Sequence, residues 1–174
     1  MHMSLFTEIK TERLLLRKLK HTDWEAISYL RSDTDVNQFV KRPPAETLEK
    51  AIAFITKISN ATDTNTSYYW VITEQGKDQM LGSISIWNFS EDRKTAEVGY
   101  DLNPIAQGKG IMDESLKNIL RFGFNTLNLD NIEAYTQKNN TASINLLERN
   151  GFKLVVGKQD ADNLENAVYA LKQP

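Results

Sequence analysis

Two glycines flank a lysine in the segment Gly108-Lys109-Gly110, between a strand-like stretch and a long amphipathic stretch. Glycine lets the backbone approach an anion closely and adopt conformations that a side chain forbids. The N-terminus of a helix presents unpaired N–H groups and a partial positive charge. Together these features predict a phosphate or pyrophosphate site. The same glycines also suit a plain tight turn between strand and helix, so both interpretations stay open at this point.

Known phosphate-binding patterns narrow the choice. The chain lacks the Gly-x-x-x-x-Gly-Lys-Ser/Thr sequence of a P-loop. A Rossmann fingerprint requires a third glycine, and Asp113 occupies that position. The familiar pattern that remains is a loop of the form Gln/Arg-x-x-Gly-x-Gly/Ala. Gln107 and Gly110 match its first two fixed positions, whereas Met112 stands where glycine or alanine is usual.

Further motifs follow one another in order along the chain. They are Thr-Glu-Arg-Leu-Leu-Leu-Arg at 11–17, Ala-Glu-Val-Gly-Tyr at 96–100, Asn-Thr-Ala-Ser at 140–143 and Glu-Arg-Asn-Gly-Phe at 148–152. With the loop, they resemble the GNAT superfamily of acetyltransferases, and within it the branch typified by the RimJ/RimL ribosomal-protein N-terminal acetyltransferases. The resemblance covers residues 11–156. It implies a GNAT fold of the α/β (α+β) class, with a mixed, mostly antiparallel central sheet of about seven strands flanked by about four helices.

The resemblance also implies that acetyl-CoA is the co-substrate, and it assigns residues to the parts of that molecule. The backbone near Asp101 and Leu102 would bond the pantetheine arm, in a gap between the central strand and the next one. Asn140 would contact the pantetheine side; the alternative is a plain helix N-cap, and both roles can coexist. The pyrophosphate would be held by the loop Gln107, Gly108, Lys109, Gly110, Ile111 and Met112.

Four side chains at this loop leave alternatives open. Lys109 either adds charge toward a phosphate or is a solvated loop lysine. Met112 can point its side chain toward the core while its N–H faces phosphate. Asp113 and Glu114 suit the first turn of a helix, yet they would repel phosphates if they were aimed at the ligand. The rotation of the helix decides which holds.

Acetyl transfer to an amine needs a neutral amine, because a protonated one has no lone pair. Glu97 is our candidate base, acting directly or through a water. Alternation along the central strand places Glu97, Gly99 and Asp101 on one face. Glu97 also matches the position of the base in some GNAT members. The alternative is an ordinary solvated glutamate on a strand.

The departing group is a thiolate, whose pKa near ~8.5 makes an acid helpful but dispensable. Many GNAT proteins carry a tyrosine acid on the last helix, and Leu147 stands at that position here. Ser143 resembles the serine placed near the sulfur in the RimL branch, so it is our substitute. Its alternative is a helix serine bonded to its own backbone. We expect Tyr100 and Tyr135 to pack in the sheet rather than to act as acids.

The composition bounds the other classes of function. The 174 residues carry a formal net charge of −2, without the basic excess of a protein that grips nucleic acid. Cysteine is absent and the only histidines are His2 and His21, so we expect no metal site. No stretch has the length and apolarity of a signal peptide or a membrane span. We therefore expect a cytoplasmic protein without direct nucleic-acid or membrane partners.

The periodicity of apolar residues predicts the elements that must position these groups. We expect one domain, residues 1–174, with 31–46 as a loop or interrupted short helix and 60–67 as a turn-rich segment. Helices are predicted from Thr22 or Asp23, from Glu46 or Thr47, over 110–124 and over 141–149. Strands are predicted over 12–19, 68–73, 80–87, 95–102, 132–136, 152–156 and 167–171.

The leading hypothesis is direct transfer of acetyl from acetyl-CoA to a primary amine. A protein N-terminal α-amine is the first choice of acceptor, and a small amine such as a polyamine or an aminoglycoside is the second. By analogy of position, residues 31–46 and Trp87 border the acceptor site. A catalytically silent CoA-binding module and an amine-binding regulator without CoA are the alternatives from other classes. Dimers are common among relatives, so a homodimer stays open.

Overall fold

The computed structural model describes residues 3–174, and an eight-stranded sheet runs through its centre. The strands follow the spatial order β1-β2-β3-β4-β5-β6-β8-β7, and every neighbouring pair is antiparallel except β5 and β6. The strands are β1 (Ile9–Lys10), β2 (Leu14–Arg17), β3 (Tyr68–Glu74), β4 (Gly82–Trp87), β5 (Thr95–Leu102), β6 (Asn131–Gln137), β7 (Lys153–Leu154) and β8 (Asn166–Lys172). The helices are α1 (Trp24–Ser32), α2 (Leu48–Asp63), α3 (Ile111–Asn125) and α4 (Thr141–Arg149).

Helices cover both faces of the sheet, and the side chains of β3 show how. Tyr68 and Trp70 pack into a core cluster that includes α3 and α4, whereas Tyr69 and Val71 join the cluster of α1 and α2. Successive side chains of a strand point to opposite faces. Because both faces are covered, β3 is built from apolar and aromatic residues without polar alternation, and Trp70 is fully buried.

An ion pair inside the protein ties the sheet to α1. The guanidinium of Arg17 on β2 lies 2.7 Å from the carboxylate of Asp23, which immediately precedes α1, and both side chains are buried. A second oxygen of Asp23 accepts a hydrogen bond from the Lys20 N–H at 2.8 Å. The arrangement satisfies charges that would otherwise be costly to bury.

The strands β5 and β6 separate along their length. They pair only between Thr95–Glu97 and Asn131–Glu133, although β5 continues to Leu102 and β6 to Gln137. Over the rest of β5 its other edge stays paired with β4, as far as Leu102 opposite Gly82. The result is a gap between β5 and β6 that opens toward the loop before α3 and the N-terminus of α4.

The fold predicted from sequence is confirmed, with local differences. The sheet has eight strands because the two-residue β1 pairs with β2, and β7 is shorter than predicted. Helix α2 runs into the segment predicted as turns, because Ile55 and Thr62 both lie on its buried face and packing extends the helix. Residues 33–47 form neither a helix nor a strand.

Candidate active site

The loop before α3 has the backbone geometry that an anion site needs. Gly108 has φ 74° and Gly110 has φ 73°, both in the left-handed region that favours glycine. Gly110 is the residue that caps α3. The first hydrogen bond of this helix runs from the Glu114 N–H to the Gly110 carbonyl at 3.0 Å. The N–H groups of residues 111–113 therefore precede the hydrogen-bond ladder and are available at the positive end of the helix dipole.

The side chains around the loop leave this helix end open to an anion. A Cβ atom added to Gly108 would meet no heavy atom within 4 Å, and Lys109 is exposed. Met112 packs its side chain against the core, which is the orientation that the sequence left open. These residues fit a diphosphate, because donors, space and a nearby ammonium group occur together.

The two acidic residues of the first turn are each held by other groups. Asp113 lies 2.7 Å from the Lys117 ammonium and accepts a hydrogen bond from the Asn150 amide at 2.8 Å. Glu114 lies 2.6 Å from the Arg13 guanidinium. The hydrogen bond from Lys117, and those from Asn150 and Arg149, hold the pKa of Asp113 below its ordinary value. The repulsion considered above is thus offset by paired charges.

A hydrogen bond between Tyr100 and Ser143 links β5 to the helix that follows β6. Their hydroxyl oxygens lie 2.6 Å apart, at the level where β5 and β6 no longer pair. Burial raises the pKa of Tyr100 to about 12, so the phenol stays neutral at physiological pH. Ser143 is buried, and its backbone N–H donates to the Asn140 side chain at 3.2 Å. Asn140 is therefore the N-cap of α4, the plainer of the two roles weighed above.

Glu97 lies at the last paired position before β5 and β6 diverge, opposite Glu133 of β6. Burial raises the pKa of Glu97 to about 7, and the carboxylates of Asp160 and Glu133 add to the effect. A hydrogen bond from the Asn88 amide, at 3.2 Å, acts in the opposite direction. A carboxylate tuned near neutral pH can accept a proton from an amine at that pH.

The end of β5 presents both a side chain and a backbone edge. The carboxylate of Asp101 accepts a hydrogen bond from Ser83 at 2.6 Å and pairs with Arg42 at 3.0 Å. The Leu102 carbonyl accepts a hydrogen bond from the Gln107 amide at 3.3 Å. The edge of β5 that faces β6 pairs with none of the described strands over residues 98–102. That edge can bond an extended arm lying in the gap.

Two loops flank the gap on the face that carries Glu97. The loop 33–47 is anchored by Arg42, which also donates to Asn37 at 2.7 Å. Its Lys41 ammonium lies 3.7 Å from the Glu165 carboxylate in the loop before β8. Trp87 is 45% exposed at the end of β4, opposite Glu97. The loop 33–47 is thus tied to Asp101, and Trp87 lies beside Glu97 in the sheet.

Sequence reasoning missed several of these contacts. It placed Tyr100 in sheet packing; the ring does pack on the core, but its hydroxyl also contacts Ser143. The one sequence signal for this contact is the alternation along β5, which places Tyr100 on the opposite face of the sheet from Glu97. No local pattern links Arg42 to Asp101, or Asn88, Asp160 and Glu97 to one another, because the partners come from separate segments.

Two further observations concern metals and membranes. Among residues 3–174, no three side chains of the types His, Cys, Asp or Glu cluster so as to hold a metal ion. His2 lies outside the described residues. None of the helices in that described part of the chain combines the length and the apolarity that crossing a bilayer requires.

Comparison with known proteins agrees with this geometry. Residues 13–153 match the acetyltransferase (GNAT) domain family. An uncharacterized N-acetyltransferase of Bacillus licheniformis, p20, is 30% identical over 82% of this chain and 80% of its own. A GNAT-family acetyltransferase structure from Bacillus anthracis superposes with a TM-score of 0.80 at 27% identity, covering 95% of this chain and 98% of that one. The chain belongs to the GNAT family of N-acetyltransferases.

More distant structures share the fold. RimL, a ribosomal-protein α-N-acetyltransferase in complex with coenzyme A, superposes with a TM-score of 0.81 at 20% identity, covering 95% of this chain and 98% of that one. This likeness concerns the fold alone. GNAT acetyltransferases use acetyl-CoA as acetyl donor, so the enzyme class expected from sequence is confirmed.

Proposed function

We propose that this GNAT enzyme transfers acetyl directly from acetyl-CoA to the α-amine of a protein N-terminus. The observation that carries the proposal is the position of Glu97, whose pKa is raised to about 7 where β5 and β6 begin to diverge. In the proposal, the pantetheine arm lies in that gap against Asp101 and Leu102, beside Asn140. The loop 107–112 holds the diphosphate, and the RimJ/RimL-like branch is the proposed affiliation.

The tuning of Glu97 bears on the class of amine. α-Amino groups have pKa values near ~7.7–8.0, whereas a lysine-type amine lies near ~10.4. Proton transfer to a carboxylate with a pKa of about 7 is therefore uphill by roughly 1 kcal/mol from an α-ammonium group. The same transfer is uphill by roughly 5 kcal/mol from an alkylammonium group. Glu97 suits the first acceptor better.

The residues then divide the reaction between them. Glu97 takes the proton from the ammonium group, directly or through a water, and so frees the lone pair that attacks the acetyl carbonyl. The new C–N bond forms first, and collapse of the resulting tetrahedral intermediate then breaks the C–S bond. Ser143 supports the departing sulfur by donating a hydrogen bond or a proton, while Tyr100 holds its hydroxyl. The second proton of the amine completes the balance by ending on the thiol. The proposal includes a cytoplasmic location, where acetyl-CoA and new N-termini occur together.

A small polycationic amine is the second candidate, favoured by the carboxylates near Glu97. Glu133 and Asp160 both raise the pKa of Glu97 through their charge. However, Glu133 is paired with the Lys158 ammonium at 2.5 Å, and Asp160 accepts a hydrogen bond from Asn166 at 2.8 Å. Because the Lys158 ammonium offsets the charge of Glu133, the polyamine or aminoglycoside ranks second.

An amine panel tests the proposal. Release of free thiol from acetyl-CoA is followed with three acceptors: peptides with a free N-terminus and no lysine, the same peptides N-terminally blocked but containing lysine, and spermidine or an aminoglycoside. We expect turnover with the first group, and the acetyl group on the α-nitrogen by mass spectrometry. Turnover confined to spermidine or the aminoglycoside would replace the proposed acceptor with the second candidate.

Calorimetry with CoA, together with the Glu97→Gln variant, completes the test. Binding of CoA by the wild-type protein without turnover on any amine would indicate a silent module instead. Turnover that survives unchanged in Glu97→Gln would remove the base from the proposal while leaving the acetyl transfer itself in place.

A further inference from the structure

Arg13 immediately precedes the Leu14–Arg17 strand, and its side chain contacts the candidate diphosphate loop. Its Nη1 group donates to the Lys109 carbonyl at 2.8 Å. Its Nε group donates to one carboxylate oxygen of Glu114 at 2.6 Å, and its backbone N–H donates to the other at 2.8 Å. The hydroxyl of Thr11 donates to that same oxygen at 2.6 Å. One arginine thus touches both the loop and the first turn of α3.

The bond to Lys109 sets the direction of a peptide group. The described chain contains no cis peptide bond, and in a planar trans peptide the C=O and the following N–H point in opposite directions. With the Lys109 carbonyl turned toward Arg13, the Gly110 N–H points away from Arg13. The Gly110 N–H is one of the donors that the loop offers to an anion. Arg13 therefore orients a donor without occupying the anion's place.

The bonds to Glu114 deal with a charge in an unfavourable place. A carboxylate in the first turn of α3 lies at the end of the helix where the diphosphate would bind. Burial raises the pKa of Glu114, but the hydrogen bonds from Thr11 and Arg13 outweigh burial and bring the pKa below its ordinary value. Glu114 is therefore ionised at neutral pH. The Arg13 guanidinium cancels that negative charge at close range.

We infer that Arg13 is a positioning residue for acetyl-CoA binding. It turns the Lys109–Gly110 peptide so that its N–H faces the ligand, and it neutralises Glu114, which would otherwise repel the diphosphate. Thr11 assists by holding the same carboxylate. The inference rests on the proposed placement of the diphosphate at residues 107–112. It gives a physical role to the Thr-Glu-Arg motif at residues 11–13, which the proposed chemistry leaves unused.

Four variants and a control test the inference: Arg13→Ala, Arg13→Lys, Glu114→Gln, the double variant Arg13→Ala/Glu114→Gln, and Arg121→Ala. Arg121 is an exposed cation on the same helix whose guanidinium contacts Asn118 at 3.5 Å. Among the described residues its guanidinium makes no hydrogen bond to the loop, so the substitution matches the change in net charge without removing such a contact. The dissociation constant for CoA is measured by calorimetry, KM and kcat by thiol release, and folding by circular dichroism and the melting temperature.

Arg13→Ala should weaken CoA binding about 10-fold and raise the KM for acetyl-CoA equally, the size expected for losing a charge-assisted hydrogen bond. Its kcat and the KM for the amine should stay within about 2-fold of wild type, because the binding energy is lost equally from the ground state and the transition state. Arg121→Ala should leave the CoA affinity unchanged. Glu114→Gln in the Arg13→Ala background should recover part of the affinity, and more at low ionic strength because the repulsion is less screened.

The outcomes separate this inference from the proposed function. If wild type binds CoA and folded Arg13→Ala binds it as tightly as Arg121→Ala does, the positioning role is overturned and the enzyme proposal stands. If the double variant recovers no CoA affinity, the inference that Arg13 neutralises Glu114 is wrong. Should Arg13→Ala fail to fold, Arg13→Lys decides the matter, since a lysine keeps the charge but cannot reach the carbonyl and the carboxylate together. A wild type without CoA affinity overturns both.

Discussion

The two ends of the β5 strand build their sites by different means. At the C-terminal end, the loop 107–112 and the start of α3 offer mainly backbone groups, with glycines at φ 74° and 73°. Nearer the N-terminal end, Glu97 depends on side chains from other parts of the chain: Asn88, Glu133 and Asp160. The first site needs a short, continuous segment, whereas the second needs residues brought together by folding.

This difference explains which site a sequence pattern can find. A diphosphate presents the same oxygens in every acetyl-CoA, so a single backbone arrangement recurs and its glycines remain visible in the sequence. An acceptor amine differs from enzyme to enzyme. The groups that tune its base are correspondingly spread over loops and strands, and no spacing rule connects them. Substitutions at one end of β5 should therefore leave the function of the other end intact.

Glu97→Gln should lower kcat/KM for the amine by about 100- to 10,000-fold, the usual contribution of a general base. CoA affinity should remain at the wild-type value, since the loop 107–112 is untouched. Steady-state kinetics and calorimetry on the same preparation provide both numbers. A parallel loss of CoA binding would contradict the separation of the two ends.

The pH dependence of kcat/KM also tests Glu97 as the base, because only ionised Glu97 can accept a proton. Below the pKa of about 7, kcat/KM should fall about tenfold per pH unit. Asn88→Ala should move the midpoint upward by removing a donor to the carboxylate. Glu133→Gln should move it downward by removing a like charge. If the midpoint is unchanged in both variants, the titrating group is not Glu97.

Stability offers a readout of Glu97 that needs no substrate. Its pKa is raised on folding, so the folded state binds the proton more tightly than the unfolded chain. The contribution of Glu97 to wild-type stability should therefore decline as pH rises from the unfolded pKa of about 4.3 through the folded pKa of about 7. Glu97→Gln escapes that decline. Its melting temperature should exceed that of wild type at pH 8, and the difference should vanish near pH 4.

Gly110→Ala tests the backbone end, with Gly76→Ala as a matched control. Both glycines have left-handed φ angles, 73° and 78°, so alanine at either site should cost about 1–2 kcal/mol of stability. A Cβ on Gly110 lies 3.4 Å from the Arg13 guanidinium, whereas one on Gly76 meets nothing within 4 Å. We expect about 10-fold weaker CoA binding in Gly110→Ala alone, measured by calorimetry beside thermal melts. Equal CoA affinity in both variants would argue against binding of the diphosphate by the loop 107–112.

Ser143→Ala should have the smallest effect, lowering kcat by roughly 10-fold or less, because a thiolate is a fair leaving group without help. Tyr100→Phe keeps the ring in the core and removes only the hydroxyl that contacts Ser143. Its effect should be no larger than that of Ser143→Ala, and the double variant should add little. Full additivity, measured by kcat at saturating substrate, would show that the two hydroxyls act independently.

The accuracy with which the sequence predicted each helix and strand differed for physical reasons. Helix α3 and the strands β3 and β5 were predicted closely, because apolar periodicity and the turns beside them are local signals. Helix α2 was predicted too short and β7 too long. Their ends depend on packing against other elements, which a local window does not contain. The turn before α3 was predicted from its glycines, which adopt left-handed φ angles, while Tyr100, Arg42 and Arg13 were not assigned any role near the gap.

The sequence by itself determined the order of the elements, the glycine loop ahead of a long helix, and the place of Glu97 on the central strand. These features follow from residue type and spacing along a continuous segment. Only the tertiary structure decided that β5 parts from β6 just after Glu97, that Ser143 meets Tyr100, and that Arg13 holds Glu114. Each of those contacts joins segments far apart in the chain, so its geometry exists only once the sheet has formed and its helices have packed.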